Sequence, residues 1–135
     1  MSREELLPLA LSLSHTDATV LRVLPLVLAK SWSSLNWRRV VQLAESGGEL
    51  PALGMLVDLT GELTNDPSMV ARAAELESAR VPLLESFYFP ARNKYDAELA
   101  RVRTPQVARK WGFLMNMTVD AFQGLLEKHY APLHG

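Results

Sequence analysis

The residues best suited to chemistry in this chain lie in its last third. Arg92, Lys94, Tyr95, Arg101, Arg103, Arg109 and Lys110 bring cations and a phenol close together in sequence, and Trp111 and Phe113 follow directly. Guanidinium groups make bidentate hydrogen bonds to carboxylates and phosphates, and planar aromatics supply large contact areas, so this mixture suits recognition of a partner. An ordinary solvated helix face has the same composition. Three readings therefore stand side by side: a solvated face, a surface for the acidic patch of a partner protein, and a surface for nucleic acid. A net charge of −1 and a pI near 6.3 weigh against the last, because phosphate neutralisation dominates non-specific affinity for nucleic acid.

No other set of residues names a reaction. His15, His129 and His134 are scattered, with no pair at the helical spacing that a metal site on one face requires. The chain has no cysteine, which removes thiolate zinc sites, cysteine nucleophiles and disulfides together. Ser, His and Asp all occur, but no G-x-S-x-G elbow frames them, and Gly47-Gly48 follows a helix instead of opening one as a phosphate cradle does. Among the carboxylates, Asp58 and Glu62 stand four apart in an otherwise apolar segment. Asp58 there is expected to be semi-buried and partnered, with Arg38 or Arg39 as the candidate cation. An enzyme with a pocket near Asp58, Arg38 and Arg39 is kept as an alternative function. No cofactor and no metal is expected.

The elements that must position these residues read as helices. With 135 residues and 48% hydrophobic content, a single helical domain over 1–135 with one core is expected. Charge is uneven: residues 91–110 carry a local +4 and residues 1–90 a local −4. The longest apolar run, Val23 to Ala29, is too short for a membrane span, and the N-terminal segment is interrupted by Pro8 and carries Arg3, Glu4 and Glu5. A soluble, cytoplasmic protein is the expectation.

Ser2 with Glu5 forms a capping box for a first helix whose apolar positions are Leu6, Leu7, Leu9, Ala10 and Leu13. Thr16 or Asp17 opens a second, running to about Lys30 and apolar almost all round, which predicts a central position; Pro25 predicts a kink or break. Asn36 caps a third helix ended by Gly47-Gly48, Pro51 starts a fourth to about Leu63, and Asp66-Pro67 starts a fifth to about Arg80. Gly54 and Gly61 within the fourth predict close packing or a helix end. Phe87, Tyr88 and Phe89 before Pro90 favour an extended segment, and a short helix around Tyr95 to Ala100 is conceivable. Thr104-Pro105 starts either a helix through Met117 or one turn followed by a strand. The strand is favoured because Gly112 weakens a helix, and it would pair 111–116 with 84–89. Thr118 caps a last amphipathic helix carrying Val119, Phe122, Leu125, Leu126 and Tyr130 inward. The fold class is thus mainly α, a bundle of about six helices with a possible short two-stranded β element.

Three runs in this chain, LNWRRVVQLAESGGELPALGMLVDLTGEL (35–63), VPLLESFYFP (81–90) and RKWGFLMNMTVDAF (109–122), resemble the C-terminal domain of the AbiEi family of antitoxins. In that family a helix of the "LGYLLELLG" kind is followed by an apolar segment ending near proline and by a terminal W-G/K-L-x-x-N strand. The resemblance covers roughly 35–122 and is one of pattern. It implies a domain that binds and restrains a nucleotidyltransferase-like toxin. The family's winged helix-turn-helix, which binds promoter DNA, has no counterpart here, and DNA-binding repression does not carry over with the resemblance. The expected function is a small non-enzymatic protein-interaction module, antitoxin-like, binding through Arg92, Lys94, Tyr95, Arg101, Arg103, Arg109 and Lys110. The alternative is a nucleic-acid-binding regulator using the basic 92–110 segment.

Overall fold

The computed structural model describes residues 2–80, 86–89 and 93–130. Side-chain caps set most of the helix starts. Ser2 accepts from the Glu5 N–H at 3.2 Å and opens α1 (Arg3–Ser14). Asp17 accepts from the N–H groups of Thr19 and Val20 and opens α2 (Ala18–Ser31), which passes through a 3-10 turn, Trp32–Ser34, to Asn36. Asn36 accepts from Arg39 N–H to open α3 (Trp37–Ser46). Pro51 lies in the first turn of α4 (Leu50–Thr64), and Asp66 caps α5 (Pro67–Glu75), followed by a 3-10 turn at Glu77–Ala79. After β1 (Ser86–Phe87), Asn93 caps α6 (Lys94–Arg103); the short α7 (Gln106–Lys110), β2 (Phe113–Leu114) and α8 (Val119–His129) complete the order. Each of these capping side chains satisfies an N–H that the helix itself leaves unbonded.

The fold is mainly α, with eight α-helices and one strand pair among the described residues, where about six helices were expected. The additional ones are α6, longer than the short helix conceivable around 95–100, and α7. The strands pair in parallel, Ser86 opposite Phe113 and Phe87 opposite Leu114, which agrees with the expected partners but confines the pairing to two residues each. Thr104 does not cap α7; it ends α6, and its buried hydroxyl accepts from Met115 N–H at 2.8 Å. The Thr118 side chain makes no cap hydrogen bond.

Helix α4, not α2, is the central element. Its residues from Ala52 to Gly61 are buried without interruption, and it packs against α1, α2, α3, α5 and α7. Helix α2 buries Leu21, Leu24, Pro25, Leu28 and Ala29 but leaves Arg22, Val27 and Lys30 exposed. The charges on α2 require a water-facing side, whereas between Leu50 and Gly61 the only charge on α4 is Asp58. Pro25 does not break α2, which runs on past it to Ser31. In α1 only Leu7, Leu11 and Ser14 are buried, and Leu6, Leu9 and Leu13 remain more than half exposed. Leucines at 6, 7, 9, 11 and 13 encircle that helix, so no single face was marked by spacing alone.

Both interior glycines of α4 are close-packing positions. A Cβ on Gly54 would stand 2.3 Å from Cζ3 of Trp111, and one on Gly61 would stand 2.8 Å from Cβ of Met69 at the α4–α5 crossing. Residues 111–115 are all buried, so this segment is covered on both faces and not on one alone.

Gly54→Ala is therefore expected to destabilise the protein by about 1–3 kcal/mol through overpacking, despite the helix propensity of alanine. Gly124→Ala in α8, where an added Cβ meets nothing within 4 Å, is expected to stabilise it by about 0.5–1 kcal/mol. Thermal unfolding of both variants checks the pair; equal effects of the same sign would contradict this packing.

Candidate functional site

Of the seven residues expected to bind a partner, five are exposed in the structure, Lys94, Tyr95, Arg101, Arg103 and Arg109, and Lys110 is half-buried. Arg92 lies outside the described residues. Lys94, Tyr95, Arg101 and Arg103 stand on α6, all exposed, and Arg109 and Lys110 stand on α7. Arg109 donates to the main-chain carbonyl of Arg101, near the C-terminal end of α6, and Arg103 donates to Oδ1 of Asn116 at 3.3 Å. Arg101 and Arg103 lie in the last turn of α6, and Arg109 brings its guanidinium to a carbonyl of that turn, where the helix end favours positive charge. The burial of α6 is slight: Ala100 is its only buried residue, while Tyr95 and Val102 are 68% and 83% exposed.

Lys110 belongs elsewhere. Its Nζ lies 2.9 Å from Oδ2 of Asp58 and 3.7 Å from Oε1 of Glu77, so the half-buried side chain ties α7 to α4 while its ammonium keeps part of its contact with water. The same Asp58 oxygen accepts from Nε1 of Trp111 at 2.9 Å. Gly54 and Asp58 are one turn apart on α4: the first leaves room for the indole ring, and the second takes its N–H. Asp58 is partnered as expected, but it is buried and not semi-buried, and its partners are Lys110 and Trp111. Arg38 and Arg39, proposed from sequence, are exposed on α3, and Glu62 is also exposed; the second acid near Asp58 is Glu77, on the other side of Lys110.

Two features escaped the sequence reading. The first is a polar-aromatic cluster at the end of α1. His15 stacks on Tyr88 with ring centroids 4.3 Å apart, meets the edge of Phe113, and places Nε2 2.9 Å from Oε2 of Glu49. Tyr88 is buried, with its hydroxyl 3.4 Å from Oγ of Ser14. Burial pushes the phenol above its ordinary value of 10.0; the Glu49 charge acts in the same direction and the Ser14 hydroxyl against it. No sequence spacing links positions 14, 15, 49 and 88. The second feature is a groove of about 330 Å³ between α1 and α2, walled by Leu6, Leu7 and Ala10 on one side and Val20, Val23, Leu24 and Val27 on the other. Its signal was present in the surplus of leucines in α1.

Among the described residues no group of three His, Asp or Glu side chains could hold a metal ion, and no helix is long and apolar enough to cross a membrane. His129 is exposed on α8, and His134 lies outside the described residues.

Asp58→Ala is expected to cost about 3 kcal/mol of stability, since it strands a buried indole N–H and removes the anion facing Lys110. Lys110→Met is expected to cost only about 1 kcal/mol, because the ammonium is partly in water. Urea unfolding separates the two; a larger loss for Lys110→Met would assign the anchoring to the ion pair instead. For Tyr88, a raised folded value means that the fold holds the neutral phenol. Its contribution is complete below pH 10.0 and is lost as the pH rises above that value. The wild type should therefore lose stability in alkali more steeply than Tyr88→Phe, by up to about 1.4 kcal/mol per pH unit. Parallel pH profiles would contradict the burial of an ionisable phenol.

Comparison with family models, curated proteins and solved structures finds no match for this chain.

Proposed function

We propose that this chain is a small, non-enzymatic protein-interaction module that engages an acidic surface of a partner protein through the outer side of α6 and the arginines at its C-terminal end. The observation that carries the reading is α6 itself. A helix of ten residues that buries only Ala100 leaves Tyr95 and Val102, seven positions apart on one face, exposed as an apolar stripe available for contact. Arg103 and Arg109 stand beside that stripe, and neither has a carboxylate within ion-pair distance among the described residues. Aromatic and arginine side chains in one patch are the usual anchors of protein interfaces.

The narrower antitoxin-like reading, with a nucleotidyltransferase-like toxin as the partner, is supported by the three sequence runs at 35–63, 81–90 and 109–122. The nucleic-acid alternative is disfavoured by Asp96 and Glu98, which interrupt the cations along α6 and reduce its net charge to +1.

Co-expression with a nucleotidyltransferase-like toxin, and pull-down from native extract, test the proposal. Tyr95→Ala combined with Arg103→Glu should weaken capture at least about tenfold while leaving the melting temperature unchanged. Undiminished capture by that variant, or recovery of nucleic acid alone with steep salt dependence, would overturn it.

A further inference from the structure

We infer that α1 and α2 form a self-association face, in which the leucine ridge of α1 in one copy of the chain seats in the α1/α2 groove of a second copy. The ridge consists of Leu6, Leu9 and Leu13, which are 55%, 56% and 54% exposed and line one side of α1. The groove beside it is apolar along its length, with polar side chains only near its ends, at Thr19 and at Arg3 and Ser31. Ridge and groove share α1 and lie side by side on one surface. A twofold contact requires such a surface, because each copy must offer both the projection and the depression.

Charge selects the occupant. Glu5 flanks the ridge on the side away from α2, and the exposed Lys30 flanks the groove on its α2 side. Because α1 and α2 run in opposite directions, Glu5 near the start of one and Lys30 near the end of the other lie at the same end of the helix pair. A twofold axis parallel to the helices then brings Glu5 of one copy beside Lys30 of the other, twice. Lys30 has no ion-pair partner among the described residues. An acyl chain or an unrelated helix could fill the groove, but neither accounts for the ridge, the groove and the two opposite charges together.

The face is two helices wide and about four turns long, roughly 20 by 20 Å, or about 400 Å² of flat area per copy. That lies below the roughly 800 Å² per partner of a standard interface, so association is weak and concentration-dependent. This face is separate from α6, and the inference stands independently of the function proposed above.

Sedimentation velocity of the full chain, from low to high micromolar concentration, should show a growing dimer fraction. Leu9→Glu acts twice in a symmetric contact and should weaken dimerisation at least about a hundredfold, with an unchanged circular dichroism spectrum and melting temperature. Lys30→Glu should weaken it about tenfold, and adding Glu5→Lys should restore it. A wild type that stays monomeric throughout, a dimer indifferent to Leu9→Glu, or an acyl amphiphile found by native mass spectrometry on a monomer would overturn the inference.

Discussion

The seat of Trp111 against α4 is the contact on which the arrangement of this chain depends. The indole lies where the absence of a side chain at Gly54 leaves room for it, and its N–H is held by Asp58 one turn later. Between them these positions provide depth and direction: the glycine permits the approach and the carboxylate fixes the ring's orientation. Lys110 adds a cation to the same oxygen from the neighbouring position in sequence, so α7 is fastened to the central helix by two consecutive side chains. A buried carboxylate is costly unless its bonds are made, and here the accepting oxygen has two donors.

That anchor sets the position of β2, which follows it directly. Two paired residues per strand give little stability by themselves, and the strand pair is framed by side chains instead. The Thr104 hydroxyl takes Met115 N–H on one side, while Tyr88 and Phe113 meet edge to face with His15 stacked on the tyrosine on the other. His15 reaches Glu49 ahead of α4, so the end of α1, the start of α4 and both strand segments meet in one cluster. The final layer is α8, docked on α2 through Phe122 and Leu126.

With these groups committed to the interior, the outer surface divides into regions of different chemistry. Lys110 and Trp111, adjacent to Arg109 in the densest basic segment, fasten α7 to α4, whereas Arg103 and Arg109 stay exposed at the end of α6. On α1 and α2 the surface is apolar and grooved. Burial, not residue type, separates the groups that hold the fold from those free to meet another molecule.

Helical content, the starts of the first five helices, the special packing of Gly54 and Gly61 and the pairing of the two aromatic segments were all legible in the sequence. Each depends on local rules: a cap beside its own helix, a proline in a first turn, a glycine where a side chain would otherwise stand. Contacts between distant positions were not legible. Asp58 has the same neighbours in sequence whether its cation is Arg38 or Lys110, and the leucines of α1 carry no mark separating the buried Leu7 and Leu11 from the exposed Leu6, Leu9 and Leu13. The sequence by itself determined which segments are helical and that Asp58 needs a partner, because backbone capping and the cost of burying charge act at short range. Only the tertiary structure decided that α4 is central, that Lys110 is the cation paired with Asp58 and that a leucine ridge stays in water, because those outcomes depend on which helices cover one another.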